Sequence, residues 1–265
     1  KYIAFFRLRF SMGLQYRSAA LAGMATQFFW GAMEILMFRA FYRADPSAFP
    51  MTLEATCSYV WLQQAFLALF MAWVMENEIF DSILNGNVAY ELCRPVNIYN
   101  MWFSRNIANR FSKATLRCMP ILLLAVLLPA PYGLMTPAGP VALFLFFLTL
   151  LLGVGVTVSF CMLVYMLCFF TLSPMGLRIV AVSTVEFFSG GIIPLPFLPD
   201  GVRKVVELLP FASMQNVPLR IYSGDLQGNS MLRALLLQVF WLCALIAAGK
   251  ALDTLAMKKI TVQGG

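Results

Sequence analysis

The sequence predicts an all-α integral membrane protein with six transmembrane helices in one domain, residues 1–265. Of its 265 residues, 61% are apolar and only 12% are charged, against about 25% charged residues in an ordinary soluble domain. Between Arg117 and Arg178, sixty consecutive residues include no Lys, Arg, Asp or Glu. A membrane-spanning helix needs about 20 apolar residues, so this stretch holds two spans. The apolar runs are continuous rather than alternating, which favours helices over a transmembrane β-barrel.

The composition also argues against several functional classes. The chain has no histidine, which removes the commonest acid/base residue and the commonest metal ligand. Its six cysteines include no C-x-x-C pair, so we interpret them as small buried hydrophobic residues rather than as disulfides or metal ligands. No GxxxxGK[ST] motif is present, so the chain cannot bind ATP in that way. The net charge of +7 is scattered without a basic stripe, and we predict no nucleic-acid binding.

The first predicted elements are an interfacial helix and the spans that follow it. Residues 1–18 are rich in aromatic and basic side chains, which suits a helix lying on the cytoplasmic leaflet. The alternative, an irregular start of the first span, would bring four positive groups into the membrane. The six spans are predicted at residues 19–42, 55–75, 112–130, 141–170, 175–193 and 232–256. Four prolines and two glycines in residues 129–140 form the turn between the third and fourth spans.

The distribution of Lys and Arg predicts the orientation. Six spans place both termini on the same side of the membrane. The termini and the loops on that side then carry thirteen of the nineteen Lys and Arg side chains. Cytoplasmic loops have an excess of these residues, so we expect both termini to be cytoplasmic.

Residues 76–110 form the cytoplasmic loop between the second and third spans. Apolar residues recur there as on one face of a short helix, Asn85-Gly86-Asn87 ends that helix, and four of the chain's twelve acidic residues lie nearby. This pattern favours a docking element for a soluble partner over a merely solvated loop. The candidate docking residues are Glu78, Phe80, Asp81, Ile83, Leu84, Gly86, Glu91, Arg94 and Pro95.

Residues 190–230 form a long outer segment that is rich in glycine, proline and apolar side chains. Irregular backbone at membrane depth persists only where it is buried in protein or faces water. We therefore predict a pair of short helices that dip into the membrane and return at the outer end of a pathway. An ordinary extracellular loop would expose its apolar side chains to water. The candidate pathway or gate residues are Glu186, Gly190, Gly191, Pro194, Pro196, Phe197 and Phe211.

Four polar side chains inside the predicted spans are candidates for a specific role, Glu34, Gln63, Gln64 and Glu186. Charge within a membrane is costly, so Glu34 and Glu186 are functional candidates. For Glu186, a salt bridge between helices is an equally good interpretation. We expect Gln63 and Gln64 to make hydrogen bonds between helices. Two scattered acids do not provide the relay of several groups that a proton-coupled carrier usually needs.

The order of these elements resembles the membrane subunit of ABC-2 type transporters, in the branch with a separate ATPase subunit. The resemblance covers nearly the whole chain and rests on the combination of its parts. These are the basic amphipathic segment, two spans, the cytoplasmic ILNGNVAYELCRPVN, three spans, the GGIIPLP break, Leu209-Pro210-Phe211 with Pro218, and the last span.

The resemblance implies a fold, partners and a location. The fold is that of ABC-2 exporters, in the plasma (inner) membrane of a bacterial or archaeal type of cell. Two permease subunits, identical or paralogous, form the path, and two ATPase subunits each receive a coupling helix, here residues 76–92. The chain itself is then not an enzyme and holds no cofactor, because ATP and Mg belong to the partner ATPase. The family mostly exports lipids, glycans, drugs or peptides.

The substrate and two other functional classes remain open at this point. The uncharged third and fourth spans and the apolar outer segment favour an amphipathic or hydrophobic substrate over an ion. A carrier or channel that works without ATP predicts transport by this chain alone in liposomes. A membrane scaffold without a pathway predicts no transport in any combination, and tolerance of substitutions at Glu186 and Gly191.

Overall fold

The computed structural model describes residues 1–15, 17–46, 49–171 and 173–259, and within these ranges the chain is helical with no β-strand. The predicted all-α class is therefore confirmed. Two 3₁₀ turns, Ala72–Val74 and Leu195–Phe197, lie between the α-helices. In chain order the helices are α1 (Tyr2–Gly13), α2 (Arg17–Ala44), α3 (Leu53–Ala65), α4 (Leu67–Phe70), α5 (Asn77–Leu84), α6 (Val88–Leu92), α7 (Ile98–Leu127), α8 (Pro140–Cys168), α9 (Pro174–Phe188), α10 (Asp200–Val206), α11 (Asn216–Tyr222) and α12 (Gly228–Lys259).

Among the described residues, three helices are long and apolar enough to cross a membrane. They are Ala20–Ala44, Pro140–Cys168 and Gly228–Lys258, within α2, α8 and α12, and they overlap the first, fourth and sixth predicted spans. The total of six spans remains a prediction. The outward faces of these helices carry large exposed apolar side chains, as a lipid-facing surface requires. Examples are Phe29, Trp30, Leu36, Phe144, Phe147, Leu151, Leu232, Leu236 and Phe240.

The segment predicted as the second span, residues 55–75, is not one continuous helix. It is divided into α3, α4 and the Ala72–Val74 turn, with the backbone extended at Met71. The carbonyls at this break accept hydrogen bonds from the guanidinium of Arg110, at 3.1 Å for Ala68, 3.3 Å for Leu69 and 2.8 Å for Met71, and the Met71 carbonyl also accepts one from the backbone N–H of Val74 at 3.4 Å. Buried backbone polar groups need partners, so this one side chain allows the helix to end inside the protein.

The third predicted span, residues 112–130, belongs to a longer helix. α7 begins at Ile98, where the side chain of Asn97 accepts a hydrogen bond from the backbone N–H of Asn100 at 2.9 Å. Helical structure therefore begins about one dozen residues before the end of the predicted cytoplasmic loop 76–110, whose bounds at the membrane remain a prediction. Its last basic residues, Arg105 and Arg110, lie on α7 and are buried.

The fifth predicted span, residues 175–193, also differs from the structure. α9 ends at Phe188, and at about 1.5 Å per residue its fifteen residues are shorter than the ~30 Å hydrocarbon core of a membrane. Helix α9 cannot continue through Gly190, because the φ of this residue is +83°. In this left-handed region glycine carries no steric cost.

Helix α8 forms the middle of the structure and packs against α12, α11, α7, α4 and α9. Pro140 occupies its first turn, where proline needs no hydrogen-bond partner and already has a helical φ. In its second half, Cys161, Met162 and Tyr165 are fully buried. Gly153 lets the outer segment approach closely, because a Cβ there would overlap the carbonyl oxygen of Met214.

Candidate functional site

Helices α5 and α6 and the turn between them, residues 77–92, form the α5–α6 unit. The unit lies at the end of the second predicted span and begins the predicted cytoplasmic loop. Ile79 and Phe80 form the buried face of α5. The Phe80 ring packs edge-on against Tyr165 of α8, with centroids 5.0 Å apart, and the guanidinium of Arg178 lies 5.5 Å from the Phe80 centroid. Phe80, predicted as a docking contact, therefore faces the protein itself, because α8 and α9 cover its side of α5.

The opposite side of the α5–α6 unit is available to a partner. Leu84 is 58% exposed and Tyr90 is 77% exposed. Tyr90 was not among the residues predicted from sequence, although it lies opposite the buried Val88 on α6 and could have been found by that contrast. Gly86 has a φ of +71°, which explains the glycine in the turn. The other predicted docking residues are exposed, as for Asp81, Arg94 and Pro95, or half-buried, as for Ile83.

Three acidic side chains in this unit or immediately before it bind side chains of α7. The carboxylates of Glu76 and Glu78 both accept hydrogen bonds from the guanidinium of Arg105. Glu91 accepts one from the indole N–H of Trp102 at 2.6 Å. Burial lowers the pKa of Arg105, but the two carboxylates raise it by more, so this pKa lies above its usual value and the guanidinium stays charged.

A buried chain of hydrogen bonds, the Arg110 network, continues from this unit into the protein. The hydroxyl of Tyr165 accepts from the backbone N–H of Glu76 at 2.7 Å and from the side-chain amide of Asn106 at 3.3 Å. Asn106 in turn accepts from Nε of Arg110 at 2.8 Å. Arg110 then donates to the three carbonyls at the break between α4 and the Ala72–Val74 turn. A continuous series of hydrogen bonds through Tyr165, Asn106 and Arg110 therefore connects the start of α5 to this break.

A cavity of about 530 Å³, the Glu34 cavity, lies among α2, α3, α4, α7 and α9. The side-chain amide of Gln64 donates to the Glu34 carboxylate at 3.3 Å. The amide of Gln63 donates to the carbonyl of Gly191 at 2.7 Å. The cavity thus brings together residues that the sequence analysis assigned to two different groups. Its lining includes Glu34, Gln63, Gln64, Glu186 and Gly191, together with Leu67, Met71, Trp30, Trp73 and Arg117.

The other predicted gate residues lie away from this cavity. Phe197 packs against Phe38 and Phe49, each with centroids 5.4 Å from its own. Phe211 packs against Phe160, at 5.3 Å. Pro194 and Pro196 are buried in the same outer segment. These four residues therefore hold the outer segment in place and do not line the Glu34 cavity.

Gly190 connects α9 to the outer segment and is held by α3. The hydroxyl of Tyr59 donates to its carbonyl at 3.3 Å. A Cβ at Gly190 would lie 2.7 Å from the same hydroxyl, closer than any normal contact. Both the space and the positive φ therefore require glycine here.

Comparison with known protein families shows which family the chain belongs to. The model of the family described as "ABC-2 family transporter protein" matches residues 28–264, a range that includes the α5–α6 unit, the Arg110 network and most of the lining of the Glu34 cavity. No curated protein matches the sequence. Since the family match covers most of the chain, the chain belongs to the ABC-2 transporter family, as a transmembrane permease component and not as an enzyme.

Proposed function

We propose that this chain is the permease subunit of an ATP-driven ABC transporter that exports an amphipathic or hydrophobic substrate. Membership of the ABC-2 family implies association with an ABC ATPase and with a membrane. The observation that carries the proposal is the unbroken connection from the exposed α5–α6 unit to the Glu34 cavity. A chain without an ATP-binding motif of its own needs such a connection, because the motion that reshapes its cavity has to come from a partner ATPase.

The exposed surface of the α5–α6 unit is the proposed docking site for the ATPase. Leu84 and Tyr90 are large, exposed and close to the turn at Gly86. Aromatic and aliphatic anchors of this kind dominate the binding energy of small interfaces. Asp81 and Arg94 form the proposed polar rim, and Pro95 lies next to Arg94. One ATPase subunit, which would bind ATP and Mg, docks on each of two permease subunits, identical or paralogous.

The Arg110 network is the proposed route of coupling. A shift of α5 would move the Glu76 backbone and, through Tyr165 and Asn106, the guanidinium of Arg110. That guanidinium holds the carbonyls of α4 and Met71, and Leu67 and Met71 line the Glu34 cavity. A break in a helix is easier to rearrange than a continuous helix, because its hydrogen bonds can be exchanged one at a time. Docking and closure of the ATPase would thus reshape the cavity.

The lining of the Glu34 cavity supports an amphipathic substrate. Trp30, Trp73 and Met71 offer apolar surface, while Glu34, Glu186 and Arg117 offer charged groups. Binding sites for small molecules commonly combine a mostly apolar wall with a few polar groups that fix orientation. We further propose that the chain is multi-pass in a plasma membrane of bacterial or archaeal type, with both termini cytoplasmic.

Reconstitution tests this proposal against its alternatives. The tagged chain is placed in liposomes with and without the ATPase that co-purifies with it, and uptake of a fluorescent amphipathic dye into inside-out vesicles is followed with ATP. We expect uptake only with both proteins and ATP, and none with an ATPase whose Walker A lysine is replaced. Uptake by the chain alone would favour an ATP-independent carrier or channel. If no combination moves any of several amphiphiles, a scaffold subunit is the better account.

The substrate class has its own test. Vanadate-sensitive ATPase activity of the reconstituted complex is measured with added amphiphiles and with a hydrophilic, strongly charged sugar. We expect the amphiphiles to stimulate hydrolysis. Stimulation by the sugar alone would contradict the proposed substrate class while leaving the permease assignment intact.

A further inference from the structure

A second cavity lies between the first helix and α7, on the side of the molecule that carries the α5–α6 unit. This α1–α7 cavity has a volume of about 370 Å³. Four cationic side chains line it, and Glu76 and Glu78 are its only acidic lining residues among the part of the chain that the structure describes. The cations are Arg9, Arg105, Lys113 and Arg117.

The charges of this cavity do not balance. Both carboxylates are bound to the same guanidinium, that of Arg105. Arg9, Lys113 and Arg117 form no ion pair with any described residue within 4 Å, and Nε of Arg117 is buried without a hydrogen-bond partner. Grouping three cations around one concave site is unfavourable unless an anion joins them.

The chemistry of the rim favours an amphiphilic anion. Met12 and Leu116 line the same cavity, and α1 also exposes the apolar side chains of Ile3 and Leu8. Arginine and lysine side chains bind phosphate groups by charge-assisted hydrogen bonds. A small soluble anion would have no use for the apolar rim, whereas the acyl chains of a lipid would cover it.

We propose that the α1–α7 cavity binds the phosphate group of an anionic membrane lipid. Arg9 approaches this phosphate from α1, and Lys113 and Arg117 approach it from α7. The lipid would thereby join the two helices at the membrane surface. Close packing of the helices supports this role, since a Cβ at Gly13 of α1 would overlap the side chain of Ser112 on α7. The inference depends on the membrane location of the chain but not on its ATPase partner or its substrate.

The test measures lipid binding by the full chain. The chain is purified in a mild detergent, phosphatidylglycerol or phosphatidylcholine is added, and bound lipid is counted by native mass spectrometry over a range of lipid concentrations. Phosphatidylcholine serves as the comparison because its quaternary ammonium group opposes the three cations. Arg117 also lines the Glu34 cavity, so the test variants are Arg9→Gln and Lys113→Gln, separately and together.

We expect the double variant to bind phosphatidylglycerol about tenfold or more weakly, since each lost charge-assisted hydrogen bond costs binding energy. Lys113→Arg should retain binding. Arg7→Gln is the matched control, because Arg7 is an exposed arginine of the same helix outside the cavity, and it should leave binding unchanged. Size-exclusion chromatography and thermal unfolding show whether each variant is folded.

Three results would overturn the proposal. Unchanged phosphatidylglycerol binding by the folded double variant would remove the cavity as the site. An equal loss with Arg7→Gln would show general attraction to a basic surface. If millimolar inorganic phosphate displaced the lipid from the wild-type chain, the site would be one for free phosphate and the lipid assignment would be wrong.

Discussion

The buried Arg110 provides the most demanding test of the structure, through the variant Arg110→Met. Methionine fills a similar length but leaves the carbonyls of Ala68 and Leu69 without their donor. The Met71 carbonyl keeps only its hydrogen bond from the backbone N–H of Val74, at 3.4 Å. An unsatisfied buried carbonyl costs about 1–3 kcal/mol, so the two carbonyls that lose their donor together cost about 2–6 kcal/mol. Removing a buried cation offsets part of this loss. We expect the free energy of unfolding to fall by about 3 kcal/mol, which corresponds to a decrease in Tm of about 6–12 °C.

Thermal unfolding of the purified chain in detergent measures this effect. Arg94→Met is the matched control, because Arg94 is exposed and exposed substitutions usually change stability by less than about 0.5 kcal/mol. A Tm for Arg110→Met within 1–2 °C of the wild-type value would contradict the stabilising role of Arg110. The carbonyls at the break in the second predicted span would then need no donor. At a temperature where the variant is folded, it should still bind the ATPase but should lose transport. Loss of ATPase binding with full stability would contradict the proposed coupling route.

Three further predictions concern the docking surface, the α9 junction and the cavity. Leu84→Ala with Tyr90→Ala should weaken ATPase binding in a pull-down titration by about 2 kcal/mol or more, roughly 30-fold in Kd, because exposed anchors are removed. Gly190→Ala should lower unfolding stability by about 1–3 kcal/mol, since alanine is strained at its positive φ. Glu34→Gln keeps the hydrogen bond to the Gln64 amide but removes a negative charge. It should lower the affinity for a cationic amphiphile about tenfold, measured by ATPase stimulation, with little effect on a neutral one.

Each of these three predictions has an outcome that would contradict it. Full ATPase binding by the Leu84/Tyr90 variant would count against the α5–α6 unit as the docking surface. Gly201→Ala is the control for Gly190, because no atom lies within 4 Å of its would-be Cβ. Equal Tm values for the two alanine variants would show that Gly190 is not under steric constraint. An equal loss for neutral and cationic amphiphiles in Glu34→Gln would indicate a general structural defect.

Local sequence signals predicted the parts of the fold that depend on composition. The proline- and glycine-rich turn at residues 129–140 separates α7 from α8, because a continuous helix cannot include so many prolines. The long apolar run of α8 could also be predicted as a helix, because a membrane-spanning helix forms its backbone hydrogen bonds within itself. The outer segment 190–230 holds short helices for the same local reason.

Features that depend on distant residues could not be predicted from local patterns. Nothing between residues 66 and 71 breaks a helix by itself, and the break becomes possible only through Arg110, about forty residues away in sequence. The periodicity of α5 identified an apolar face but not what covers it. The structure covers Phe80 with Tyr165 and Arg178, so we assign the proposed docking surface to the other face of the α5–α6 unit. The Glu34 cavity likewise depends on helices that come together only in the folded chain.

The proposed function depends on a partner ATPase that docks on the α5–α6 unit. The most direct measurement places a photo-crosslinking amino acid at Tyr90 in the tagged chain, irradiates native membranes, and identifies crosslinked proteins by mass spectrometry after purification in a gentle detergent. The same residue at Leu208, which is exposed in the outer segment, is the control. We predict that the Tyr90 position crosslinks to a protein with a Walker A motif and that the Leu208 position does not. If the chain purifies without any such ATPase, and the Tyr90 position gives no crosslink to one, the account is contradicted.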